Sequence, residues 1–234
     1  MPVNTWLSWS SGKDSAWALK VLRADPGVEV TGLLTTLNED AGRVAMHAVR
    51  RSLLEAQARS AGLPLLAVDL PHPCDNAVYE RRMAAACARA VEEGVEAIAF
   101  GDLFLEDIRA YRERQLAPTG LRPLFPLWGR DTRELAREMV AAGLRAVLTC
   151  VDPKRLERSF AGRAFDAELL AALPPDVDPC GEHGEFHTFA TAGPVFAREL
   201  AVRAGEVVER EGFVYADLLP AEREAPPEPR ATIP

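Results

Sequence analysis

The sequence is poor in several things, and each shortage removes a class of protein. Four cysteines, Cys74, Cys87, Cys150 and Cys180, are spread through 234 residues without a CxxC pair. With no secretion signal they read as reduced thiols, so a cytoplasmic location is expected. No apolar run reaches the length of a membrane span, and the N-terminus lacks the basic and apolar regions of a signal peptide. No membrane partner is therefore expected. The net charge of −8 argues against an electrostatic grip on nucleic acid. There is no internal repeat. Lysine is nearly missing, with only Lys13, Lys20 and Lys154 among 27 basic residues. A chain of this length buries about 70% of its unfolded surface, so it forms one large domain or two small ones without disulfide or metal staples.

What is present begins near residue 5. Thr5 to Trp9 mixes β-branched, aromatic and apolar residues and suits a buried strand. Ser10 to Gly12 are small and turn-prone, and from Lys13 to Arg23 the apolar spacing becomes helical. A strand that turns tightly into a helix aims unpaired N–H groups and the positive helix end at whatever sits above it, and a phosphate is the natural occupant. One of the rare lysines, Lys13, falls in this turn, with oxygens from Ser11, Asp14 and Ser15 around it. A Walker A loop fails because Leu7 and Asp14 stand where Gly and Ser/Thr are needed. A dinucleotide loop fails because Gly12 is its only glycine.

Further along, strand-like and helix-like segments alternate. Strands are expected at 28–36, 65–70 and 96–100, a helix runs from Met46 to Gly62, and a second long one from Ala77 to Glu93. This pattern predicts an α/β fold with a doubly wound parallel sheet. Ligands of such sheets lie outside the carboxyl ends of the strands. The loops there are Ser10–Ser15, Thr35–Arg43, Pro71–Asn76 and Gly101–Asp107, and they make the expected nucleotide site. Two prolines in 121–130 suggest a crossing into a second region. Asp131 with Glu134 then looks like a capping box opening a helix to Ala142, followed by a strand at 146–150 and a short helix at 166–173. The structure of 199–211 is open on sequence grounds. The tail from Pro220, rich in Pro, Glu, Arg and Ala, is expected to be disordered.

Residues 180–188, Cys-Gly-Glu-His-Gly-Glu-Phe-His-Thr, hold five titratable side chains in nine residues. Cys180, His183 and His187 have metal-like spacing, yet the run is not HExxH, and two glycines break any helix that would align the histidines. A substrate loop working through Glu182, Glu185 and Thr188, or a solvated acidic loop, are the other readings.

Ser10–Ser15, Met46–Arg50, Gly101-Asp102, Glu106-Asp107, Pro126–Arg130 and Glu185–Phe189 occur in that order. Together they resemble the diphthine–ammonia ligase family of the PP-loop ATP pyrophosphatases, over a range from about Trp6 to Tyr215. Ser11 departs from the family's loop by replacing its first glycine. The resemblance implies a PP-loop, HUP-like ATP-binding domain (1–122), a smaller C-terminal α+β domain for the acceptor (123–219) and a tail (220–234). It implies ATP and Mg²⁺, ammonia, and a carboxylate-bearing acceptor carried on a protein. It also implies amide formation through an acyl-adenylate, with AMP and pyrophosphate released. A homodimer is kept open. Lys13, Asp14, Asp102 and Glu185 are the catalytic candidates, with Asp14 as the Mg²⁺ ligand. Ser10, Ser11, Gly12, Lys13, Asp14, Ser15, Thr35, His47 and Gly101 are the nucleotide candidates. Trp128, Arg130, Glu182, Glu185, His187 and Thr188 are the acceptor candidates, with Glu182 and Glu185 facing a quaternary ammonium and Trp128 or Phe186 offering it a ring. Helix-surface or capping roles compete for His47, Arg50, Asp102 and Arg130. Another acceptor (a corrinoid carboxylate or a tRNA base) and a non-catalytic nucleotide-binding module are the alternatives.

Overall fold

A computed structural model describes residues 1–44 and 47–221. The buried strand expected at the start is β1, Val3–Ser8. It lies between β2, Val28–Asn38, and β5, Ala97–Ala99, parallel to both. Beyond β2 lies β4, Leu65–Leu70, and beyond β5 lies β6, Arg122–Leu124, again parallel. A two-residue strand, β3 (Arg43–Val44), joins the end of β2 antiparallel. The order β4-β2-β1-β5-β6 reverses its direction of winding between β1 and β5. That reversal is the switch point at which a doubly wound sheet leaves a crevice.

Side chains alternate across the sheet. Leu7 and Leu33 point to one face, where α1 (Lys13–Ala24) and α2 (Arg51–Ala61) cover them. Trp6, Leu34 and Ile98 point to the other, into a second apolar cluster with α3 (Asn76–Glu92) and the end of α4 (Glu106–Leu116). Gly32 lies opposite Trp6, and a Cβ there would come within 2.7 Å of the indole nitrogen, so the large ring fits only over glycine.

The second region is smaller and α+β. Asp131 caps α5 (Thr132–Ala141) by accepting from the Glu134 N–H at 2.9 Å, and Asp166 caps α6 (Ala167–Ala172) in the same way. Strands β7 (Arg145–Val151), β8 (Phe186–Ala192), β9 (Val202–Arg210) and β10 (Phe213–Pro220) form an antiparallel sheet in the order β8-β7-β10-β9. One apolar cluster runs unbroken from Leu7 and Leu19 to Leu148 and Phe189, so the two sheets share a core.

Several expectations change. The helix expected from Met46 begins only at Arg51, because Arg50 is its extended N-cap; Met46 itself lies outside the described residues. The run 180–188 is not all loop, since β8 begins at Phe186. The open stretch 199–211 supplies β9, paired to β10 through a two-residue Glu211-Gly212 turn with both φ positive, the geometry of a tight hairpin. Residues 106–116 form α4, which sequence periodicity did not reveal. The expected boundary at 122/123 runs through β6, and Pro220 ends β10, while residues 222–234 of the expected tail lie outside the described residues. Among the described residues no helix is long and apolar enough to cross a membrane.

Candidate active site

Strand β1 ends at the switch point, and the six residues 10–15 carry the chain into α1. Ser11 takes a left-handed conformation (φ 69°), which is costly for a residue with a Cβ and explains why glycine is the usual occupant of such a turn. Its side chain is fully buried, and its Oγ has no partner among the described residues. Gly12 is the N-cap of α1. A Cβ on it would lie 3.0 Å from His47 Cε1 and 3.2 Å from the Thr188 carbonyl oxygen, so the bare α-carbon lets two other segments close on the turn. Gly101, at the end of β5, packs against Asp14 and Ser15 just as tightly. Ser10 Oγ bonds to Ser15 Oγ at 3.2 Å and fixes the width of the loop. The Lys13 N–H donates to Thr188 Oγ1 at 3.0 Å. The N–H groups of Asp14 and Ser15, in the first turn of α1, have no intrahelical acceptor.

The Lys13 side chain is held in place rather than free to swing. It is 1% exposed; its ammonium donates to Asp14 Oδ2 at 2.8 Å and to the Cys180 carbonyl, with the Phe165 and Phe186 rings flanking it. Burial, the largest influence, would lower its pKa, but Asp14, Cys180 and Glu182 together outweigh it and the net direction is upward, so Lys13 stays charged. Asp14 keeps a second oxygen, Oδ1, without a partner among the described residues.

Around this loop lies a cavity of about 660 Å³. Its polar end carries Ser10, Lys13, Asp14, Ser15, His47, Asp102, Glu182, His187 and Thr188. Leu34, Met83, Cys87, Ile98 and Phe100 add apolar surface, with Tyr79, Glu80, Arg112 and Arg114 beside them, and Thr35 and Gly101 also line it. Polar groups converging beside apolar surface are what a nucleotide needs. Glu182 Oε1 accepts from the Leu103 N–H at 2.8 Å, which pins the loop before β8 to the loop after β5. Burial pushes the Glu182 carboxyl up to about 7, against the pull of that hydrogen bond. Burial also raises Asp102, and Arg112, 3.5 Å away, offsets only part of this. The His47 and His187 rings lie against each other, tilted by 40°, with 4.7 Å between centroids.

Other candidates are elsewhere. Glu185 does not line the cavity: it is 1% exposed, and its Oε1 accepts from the Asp178 N–H at 3.1 Å, bracing the 178–185 loop from within. Trp128 packs on Phe125 with the Arg109 guanidinium over its ring. Arg130 is exposed and paired with Glu138 Oε2 at 2.6 Å. Ser11 faces the protein interior rather than the cavity. Arg50, considered for the nucleotide, bonds Asp217 instead. Sequence reasoning missed Gln57, whose amide joins three segments beneath the loop, and the α3–α4 wall of Tyr79, Met83 and Arg112. Only the helical spacing of Met83 and Cys87 hinted at that wall. Among the described residues no group of three or more His, Cys, Asp or Glu is arranged to hold a metal ion.

Two family descriptions match the chain: the diphthamide synthase N-terminal domain over residues 3–123 and the diphthamide synthase C-terminal domain over residues 131–218. Among curated proteins, the diphthine–ammonia ligase of Homo sapiens is 30% identical over 130 residues, covering 53% of this chain and 49% of the human protein. That of Rattus norvegicus is 28% identical with the same coverage. That of Schizosaccharomyces pombe is 31% identical over 119 residues, 49% of this chain and 20% of the yeast protein. The chain thus spans about half the length of the animal relatives it matches, and less of the yeast one.

Proposed function

This chain belongs to the diphthamide synthase family, and from that premise we propose that it is an ATP-dependent amide-forming ligase that joins ammonia to the carboxylate of a diphthine-like acceptor. The observation that carries this reading is the cavity at the β1/β5 switch point, open to the first turn of α1 and backed by the Lys13–Asp14 pair. Carboxylate is a poor electrophile, so ammonia cannot displace its oxygen directly. Attack of the carboxylate on the α-phosphorus of ATP gives an acyl-adenylate and pyrophosphate. Attack of ammonia on that adenylate then gives the amide and AMP.

Each step has residues suited to it. The N–H groups of Asp14 and Ser15, the helix end and the Lys13 ammonium complement the charge that grows on the leaving pyrophosphate. Asp14 Oδ1, which has no partner among the described residues, and Asp102, whose Oδ2 lies 3.5 Å from the Arg112 guanidinium, are the groups that would hold Mg²⁺. That ion would supply further neutralisation of the triphosphate. The apolar surface of the cavity, with Thr35 and Leu34, takes the nucleoside. The region containing β7–β10 presents the acceptor, and Glu182 faces its cationic group. Glu185 supports that loop rather than touching the substrate.

Oxygen labelling tests the route. A diphthine-bearing polypeptide with ¹⁸O in its carboxyl group, turned over with ATP and ammonia, transfers one label to AMP if the carboxylate attacks the α-phosphorus. Label in inorganic phosphate, with ADP as co-product, would mean attack at the γ-phosphorus instead.

A further inference from the structure

The segment after β3 and the start of β8 bring two imidazoles together in the cavity wall, and phosphate binding gives neither of them a task. His47 Nδ1 lies 3.0 Å from the Thr188 carbonyl oxygen. A carbonyl carries no proton, so Nδ1 is the donor, and in the neutral ring the lone pair is on Nε2. Cε1, the atom between the two nitrogens, packs against Gly12, so this edge of the ring lies along the phosphate loop. The face of the ring lies on His187, inclined at 40°. The ammonium of Lys13, itself engaged by Asp14 and Cys180, is the charged group that bears on both rings.

We propose that His47 is the proton acceptor of the amide-forming step, taking through Nε2 the proton that ammonia must lose; this rests on the ligase reading given above. The balance is as follows. The nitrogen lone pair of ammonia forms a bond to the acyl carbon of the adenylate. The bond from that carbon to the AMP oxygen breaks, and its electron pair leaves on the phosphate. One N–H proton passes to His47 Nε2, giving an imidazolium that returns the proton to solvent after AMP departs. His187 holds the ring by its face, and the Thr188 carbonyl holds its tautomer.

Burial, set against the hydrogen bond to Thr188, brings His47 down to about 4, and burial brings His187 down to about 3, so both rings are unprotonated near neutrality. A base this weak does not strip a proton from ammonium in water. It suits the much more acidic N–H of the tetrahedral adduct, whose proton must leave before the adduct collapses to amide. A neutral ring also leaves the field of Lys13 available to the phosphates.

The test uses the full chain, a diphthine-bearing polypeptide, ATP, Mg²⁺ and either ammonia or hydroxylamine. Hydroxylamine is largely unprotonated at neutral pH and attacks adenylates without basic assistance. His47→Asn keeps a side-chain N–H that reaches the Thr188 carbonyl but removes Nε2. In this variant, ammonia-dependent amide formation should fall about 100-fold, in the range of general-base contributions. Hydroxamate formation, and the ATP–pyrophosphate exchange that reports the adenylate, should stay within about threefold on the same scale. His47→Ala should lose the ammonia reaction as fully. Equal loss with both nucleophiles, or an unchanged ammonia rate in His47→Asn, overturns the assignment. Absence of exchange in the unaltered protein removes the ligase reading itself, a result distinct from either.

Discussion

The carboxamide nitrogen of Gln57 donates to the carbonyl oxygen of Ser11 at 3.0 Å, in the turn that leads from β1 into α1. The same nitrogen reaches the Ala190 carbonyl at 2.6 Å, and Oε1 accepts the Trp9 indole N–H at 2.9 Å. One buried side chain on α2 therefore ties the end of β1, the loop and β8 together. Gln57→Leu would leave the Trp9 indole N–H without its acceptor and take the amide donor from the Ala190 and Ser11 carbonyls, of which the Ser11 one keeps the Ala190 N–H at 2.9 Å. At about 1 kcal/mol for each group that loses its partner, the loss should be about 2 kcal/mol. Urea unfolding at neutral pH measures it, and a change below about 1 kcal/mol, the worth of a single neutral hydrogen bond, would show that water replaces the amide.

Ser11 carries two local penalties, its left-handed backbone and its orphaned hydroxyl. Ser11→Gly removes both and should stabilise the fold by about 1 kcal/mol, while Ser11→Ala removes only the second and should gain less. Nucleotide affinity should be retained in both, since the hydroxyl faces away from the cavity. A tenfold loss of ATP affinity in Ser11→Ala would show that the hydroxyl contacts the nucleotide after all.

Asp217, on β10, accepts from Arg43 at 2.8 Å and from Arg50 at 2.5 Å, which joins β10 to β3 and to the N-cap of α2. Burial alone would raise its carboxyl, but the bonds from Arg50 and Arg43 outweigh burial and bring it down to about 2 from 3.8. A carboxyl depressed in the folded state adds stability above its unfolded pKa and loses it as pH falls through the folded one. Asp217→Asn should therefore cost about 2 kcal/mol at pH 7. The gap between variant and parent should narrow as pH falls from about 4 to about 2, and a gap that is constant with pH would assign the effect to packing.

What the sequence revealed was local in origin. The strand, turn and helix at 3–24 follow from adjacent residues, as does the Asp131 cap of α5. The alternation of strands and helices placed the cavity at the carboxyl ends of β1, β2 and β5, but the loop after β4, Pro71–Asn76, does not line it as expected. The rest depends on distant partners. Lys13 is clamped by the carbonyl of Cys180, 167 residues away, which no local pattern signals. Glu182 and Glu185 look alike in sequence, yet one turns to the cavity and the other inward to the Asp178 N–H, because the loop folds back on itself before β8. Strand β9 is exposed on both faces over most of its length, so it lacks the alternation that marks a half-buried strand. Helix α4 is so polar that its one buried residue is Leu116.

The central claim is that the cavity between β1 and β5 holds ATP for cleavage at the α-phosphorus in the service of amide formation. Its most direct test is to identify the nucleotide products when the full chain is incubated with ATP, Mg²⁺, ammonia and a diphthine-bearing polypeptide. AMP and pyrophosphate should appear in equal amounts, in step with amide formed, and only when the polypeptide is present. Release of ADP and phosphate, or ATP left intact while the polypeptide is amidated, would contradict the account.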